Sequence, residues 1–98
     1  MMELYNYFSD PNEAVLTTLF VLNKDEQITR IYHHLEYGMW EFVGDTEVAE
    51  SDYRVVSIEE MVNLDNSILS VSNMEPGYFA HKVAGNNTFF IEKIRSDT

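Results

Sequence analysis

The chain has 98 residues, 45% of them apolar and 13% aromatic, with no cysteine and with 17 acids against 6 bases. That length accommodates a single hydrophobic core, read as one domain over residues 1–98, and the lack of cysteine excludes disulfides and thiolate metal sites. The formal net charge of −11 repels nucleic acid and anionic membranes and attracts basic surfaces.

The N-terminal stretch carries Glu3 and Asp10 and lacks a basic segment followed by an apolar one, so no signal peptide is expected. The apolar run Ala14–Leu22 is too short to span a bilayer. With cysteine absent, the default expectation is a soluble protein of the reducing cytoplasm.

Residues Ala14–Asn23 are apolar on both alternating faces and rich in β-branched and aromatic side chains, which reads as a buried strand. After the polar turn Asn23–Gln27, residues Ile28–Tyr37 read as a second strand forming a hairpin with the first. Gly38 breaks it, and Met39–Gly44 form a third strand with Trp40 and Phe42 on one face. Asp45–Asp52 is charged and weakly apolar, and reads as a mobile acidic loop.

Tyr53–Val56 returns to strand character and stops at Ser57, where Ser-Ile-Glu-Glu matches a capping box. A helix from Ile58 to about Leu64 follows, with Ile58, Met61 and Val62 on one stripe and Glu59 and Glu60 at the positive end of its dipole. Asp65 or Ser67 is placed to cap a further helical turn. Pro76-Gly77 fits a type II turn, with Gly at the position of positive φ. Tyr78–Val83 and Thr88–Ile94 alternate as strands around Ala-Gly-Asn-Asn, a hairpin, and the tail Arg95–Thr98 is expected to fray. The order of elements predicts an α+β domain: an antiparallel sheet of about five or six strands with one short helix packed on it.

The chemistry-bearing residues do not assemble into a recognisable catalytic motif. His33 and His34 are adjacent, so on a strand they point to opposite faces and cannot share one metal. The glycines stand alone at 38, 44, 77 and 85, without a phosphate loop or a nucleophile elbow. Glu59 and Glu60 are helical neighbours and diverge, unlike a paired-carboxylate cleft. No metal, cofactor or catalytic residue is therefore assigned, and the reading leans away from an enzyme. Trp40, Tyr53, Tyr78 and Phe79 serve either as sheet and core positions or as an aromatic contact patch. Asp65 serves either in an Asx-type turn to Ser67 or in a partner contact.

Charge is unevenly placed. From Glu41 to Glu75 the acids are Glu41, Asp45, Glu47, Glu50, Asp52, Glu59, Glu60, Asp65 and Glu75, with Arg54 the only base among them. Such a stretch is either a solvated face or a landing surface for a cationic protein.

From Trp40 onward the order of features resembles a family of small bacterial domains associated with immunity proteins of toxin systems. Those domains show Trp-x-Phe, an acidic spacer, a strand leading into a short helix, Asp-Pro-Ser, then Leu-Pro-x-Gly-Trp-x-Ala-x-Arg and a late aromatic. Here Trp40-Glu41-Phe42, Arg54–Val62, Asp65-Asn66-Ser67, Met74–Ala80 and Phe89 stand at those places. Asn66 replaces the proline, Pro76 is displaced by one position, Tyr78 replaces Trp, and Lys82 matches the Arg only after a shift of one. The resemblance implies a non-enzymatic protein that neutralises a toxin, and an acidic inhibitor would be steered to a basic cleft.

The leading expectation is thus an acidic binding protein that contacts a basic protein through Trp40, Glu47, Glu50, Asp52, Tyr53 and Asp65, with no nucleic acid and no membrane as partner. The first alternative is a ligand-binding or enzymatic pocket near His81, Tyr78 and Asp65. The second is a homo-oligomer formed through an uncapped edge strand at Thr88–Ile94.

Overall fold

The computed structural model describes residue 8 and residues 10–83 and 87–94. The strands are β1 (Ala14–Thr18), β2 (Arg30–His33), β3 (Trp40–Val43), β4 (Tyr53–Ser57), β5 (Tyr78–Lys82) and β6 (Phe89–Lys93). The helices are a single turn, α1 (Leu19–Leu22), and α2 (Ile58–Leu64), with short 3-10 segments at Glu50–Asp52 and Asn66–Val71. The class is α+β, and the sheet is six-stranded in the order β4-β1-β3-β2-β5-β6.

One pair departs from the expected antiparallel sheet. β1 and β3 run parallel, with Leu16 opposite Glu41, while the other neighbours are antiparallel, so the sheet is mixed. The expected hairpin of the first two strands is likewise corrected. β3 lies between β1 and β2, and β2 pairs with β3 and β5 instead.

The cause lies at Thr18. Its hydroxyl accepts a hydrogen bond from the N–H of Val21 at 3.2 Å, which caps a helical turn and ends the strand at half the length expected. Lys24 then takes a positive φ of 64° to leave that turn. A chain that winds away in this manner cannot fold straight back on itself, and the space beside β1 is filled by β3. Thr17, fully buried, donates its hydroxyl to the carbonyl of Phe42 at 2.8 Å across that parallel pair.

Elsewhere local signals match local structure. The Ser57 hydroxyl accepts from the N–H of Glu60, and α2 buries Ile58, Met61 and Val62. Asp65 caps the following 3-10 segment by accepting from the N–H of Ser67 at 3.0 Å. Gly77 has φ of +92°, as its turn position demands. β5 and β6 pair antiparallel, while the middle of the turn joining them (84–86) and the tail (95–98) lie outside the described residues.

The core occupies one face of the sheet. Val15, Ile31, Trp40, Phe42 and Ala80 point from the strands toward Ile58, Met61 and Val62 of α2 and Ile68 and Val71 of the 3-10 segment. Each fully buried valine, isoleucine, methionine or phenylalanine among them contributes about 1.5–3 kcal/mol relative to exposure. His33 joins this face: its ring stacks on Trp40 at 3.8 Å and its Nδ1 donates to the carbonyl of Met74 at 2.6 Å, since a carbonyl only accepts. His34 points the other way, as adjacency on a strand requires.

Candidate functional site: the open face of the sheet

With the helices on one side, the period-two alternation of the strands sends a second set of side chains to the other. Register places Tyr53 and Val55 of β4, Leu16 of β1, Glu41 and Val43 of β3, Arg30 and Tyr32 of β2, Phe79 and His81 of β5, and Phe90 and Glu92 of β6 on that face. His34, just past β2, continues the same side: its ring stacks on Tyr32 at 5.7 Å, with an interplanar angle of 11°. The rings form a continuous band, since Tyr32 also stacks on Phe79 at 5.4 Å and Phe79 on His81 at 5.5 Å.

Carboxylates are set into this band. Glu41 accepts from Nε2 of His34 on one oxygen at 2.7 Å and from the Tyr53 hydroxyl on the other at 3.1 Å. Its side chain is only 15% exposed, so a negative charge sits partly sunk in the surface, held by hydrogen-bond donors. Tyr53 responds: its pKa is raised above the ordinary tyrosine value, first by burial and then by the charge of Glu41 and the hydrogen bond to it. At the far edge Glu92 pairs with Nε2 of His81.

The acidic loop borders the same face, and it is fastened there. Glu26 accepts from both the N–H and the hydroxyl of Thr46, and Thr29 donates to Asp45 at 2.8 Å. At its other end Asp52 accepts from the N–H of Ala49 at 2.8 Å, closing the 3-10 turn. The stretch expected to be a mobile loop is therefore a loop with defined hydrogen-bonded anchors. Two hollows flank the Tyr32 ring. One, of about 240 Å³, is lined by Arg30, Tyr32, His34, Glu41, Glu47 and Tyr53 among others. The second, of about 640 Å³, includes Asp45, Phe79, His81 and Glu92.

Comparison with known protein families, with curated proteins and with solved structures found no match. What the molecule itself brings together decides the reading.

Of the residues expected to contact a partner, Tyr53 and Glu47 line one hollow, and Glu50 and Asp52 form the 3-10 turn leading into β4. Trp40 does not join them. It is 4% exposed, packed between His33 and the edge of Phe8 on the helix-covered side, and presents no surface to a partner. Asp65 also lies away from the open face, with one carboxylate oxygen taken by the N–H and hydroxyl of Ser67. Of the alternative site's residues, His81 is on the open face, Tyr78 packs against the core, and Asp65 lines a cleft with Lys24 and Lys82, so among the hollows of the described residues the three do not share one. Among the described residues no cluster of three or more metal-ligating side chains occurs, and no helix is long and apolar enough to cross a membrane.

Sequence reasoning passed over Tyr32, His34, Glu41 and Glu92 as site residues. Their signal was the alternation itself: Arg30-x-Tyr32-x-His34, Phe79-x-His81 and Phe90-x-Glu92 each set a polar or aromatic side chain against an apolar or core-facing neighbour.

Proposed function

We propose that this protein is a non-enzymatic acidic binding protein of the immunity-protein kind, whose open sheet face covers a basic site on a partner protein such as a toxin. The observation that carries the reading is the coincidence, on a face free of helix among the described residues, of the stacked rings of Tyr32 and Phe79 and the ring of Tyr53 with the carboxylates of Glu41, Glu47 and Glu92. Aromatic anchors set beside carboxylates are what a protein partner of opposite charge exploits, and Arg30, the arginine on this face, is engaged by the carbonyl of Gly44. The net charge of −11 steers such a partner and disfavours nucleic acid and anionic lipid. The family resemblance from Trp40 onward points the same way, and a cytoplasmic location is consistent with it.

The test is capture on the immobilised protein from lysate of the source organism at low salt and at ~0.5 M salt, where the screening length falls well below its low-salt value. The proposal expects a basic protein retained at low salt, weakened at high salt, whose own activity is inhibited by the purified chain at equimolar amounts. A retained protein that is acidic, or whose activity is unaffected, overturns it.

A second reading rests on β6. It is an edge strand whose Phe90 and Ile91 are 43% and 49% exposed, an apolar edge open to pairing with a second copy of the chain. Light scattering across a concentration series decides it: a dimer that Ile91→Lys dissolves supports this reading, and a monomer throughout removes it.

A further inference from the structure

The hollow around Glu41 has more specific chemistry than a charged surface, and it deepens the proposed function, on which it rests. Both oxygens of Glu41 are engaged by hydrogen-bond donors, Nε2 of His34 and the Tyr53 hydroxyl, while its side chain is mostly out of water. The two salt bridges among the described residues are both to histidines, and neither a lysine nor an arginine answers Glu41. A carboxylate held this way, with most of its side chain out of water, keeps a fixed position and directs a negative field at the hollow in front of it.

The walls of that space are flat. Tyr32 and His34 stand nearly parallel, Tyr53 closes one side, and Glu47 on the exposed acidic loop stands at the mouth. Arg30 is the one lysine or arginine that lines it, and its guanidinium is already held in the wall: it donates to the carbonyl of Gly44 at 2.9 Å, and its Nε is buried. The volume of about 240 Å³ suits one long side chain and not a folded element.

We infer that this hollow receives the side chain of an arginine from the basic partner. A guanidinium packs against aromatic walls and offers several donors in one plane, so it can enter beside Tyr32 and Tyr53 and reach Glu41 and Glu47 together. A lysine ammonium is a compact, strongly hydrated charge that gains less from flat walls. Glu41 thus acts as the recognition carboxylate, with His34 and Tyr53 as the residues that position it.

The experiment titrates an oligo-arginine peptide and an oligo-lysine peptide of equal length into the full chain at low salt, following amide and side-chain NMR signals of Tyr32, His34 and Tyr53. The arginine peptide is expected to bind more tightly and to move those signals. Glu41→Gln, which keeps the shape and one acceptor, is expected to weaken it roughly tenfold or more, the effect of removing a charge-assisted hydrogen bond. Glu47→Lys sits on the exposed loop, where it leaves the fold intact, and is expected to weaken it as well. Equal affinity for the two peptides with no effect of Glu41→Gln overturns the arginine hollow while leaving the acidic-surface reading standing. Binding of neither peptide overturns both.

Discussion

Gly44 and Glu26 form a contact whose strength can be measured, and it fastens the acidic loop to the sheet. A Cβ built at Gly44 would lie 2.7 Å from the carbonyl oxygen of Gln27 and closer still to the carboxyl group of Glu26. One oxygen of Glu26 accepts both bonds from Thr46, and the other is buried against this spot without a partner among the described residues. Gly44→Ala therefore displaces the Glu26 side chain and loosens the loop. Overpacking of this kind costs about 1–3 kcal/mol. Against it stands a gain of about 0.4–1 kcal/mol, because alanine restricts the unfolded chain. The net expectation is a loss of roughly 0–2.6 kcal/mol.

Glu26→Ala removes the first obstacle but not the Gln27 carbonyl. In that background Gly44→Ala should cost less, with a coupling of roughly 0.5 kcal/mol or more between the two positions. Urea unfolding of the wild type, both single variants and the double variant gives the cycle directly, provided the denaturant slope is unchanged. If Gly44→Ala costs the same with and without Glu26, the carboxyl group does not pack there and the account of how the loop is held is wrong.

Three further substitutions probe other links. Tyr53 has a raised pKa, so the folded state favours its neutral form; this contribution is present below the unfolded value of about 10 and is lost as pH rises through the folded value. Tyr53→Phe should accordingly lose less stability between neutral and strongly alkaline pH than the wild type does, and an identical alkaline decline in the two proteins would refute that. Ser57→Ala removes the cap of α2 and should cost about 1 kcal/mol in chemical denaturation, with no loss fatal to the capping account. Thr17→Val keeps the buried shape but deletes the bond to the Phe42 carbonyl, for an expected loss of about 1 kcal/mol; a neutral result would mean that this bond does not support the parallel β1–β3 pair.

What could be read from the sequence was what depends on neighbours in the chain. Ser57 before two glutamates, Asp65 before Ser67, and Gly77 after Pro76 each encode a hydrogen bond or a backbone angle within a few residues, and each appears where expected. Trp40 and Phe42 share a buried face because alternation on a strand is also local. Thr18 shows where this stops: an apolar run fits a buried strand and a helical turn equally, and here the Thr18 hydroxyl caps the turn that ends the strand. The insertion of β3 beside β1 is a long-range choice that no local pattern carries.

The site was legible in the same partial way. The acids of the loop and Tyr53 could be named from charge and proximity, but which face they share depends on strand order. Trp40, two residues from Phe42 and one from Glu41, illustrates the point: a single step along β3 separates the core from the open face. The band of Tyr32, His34, Phe79 and His81 exists only because β2 and β5 are neighbours in register.

The central claim is that the helix-free face is the binding surface, and amide chemical-shift mapping with the captured basic partner tests it most directly. The account predicts that signals of Tyr32, His34, Glu41, Tyr53 and Phe79 and of the loop between Asp45 and Asp52 shift on addition of the partner, while those of Ile58–Leu64 stay in place. Shifts confined to that helix and the segment Asn66–Val71, with the open face unmoved, would contradict it.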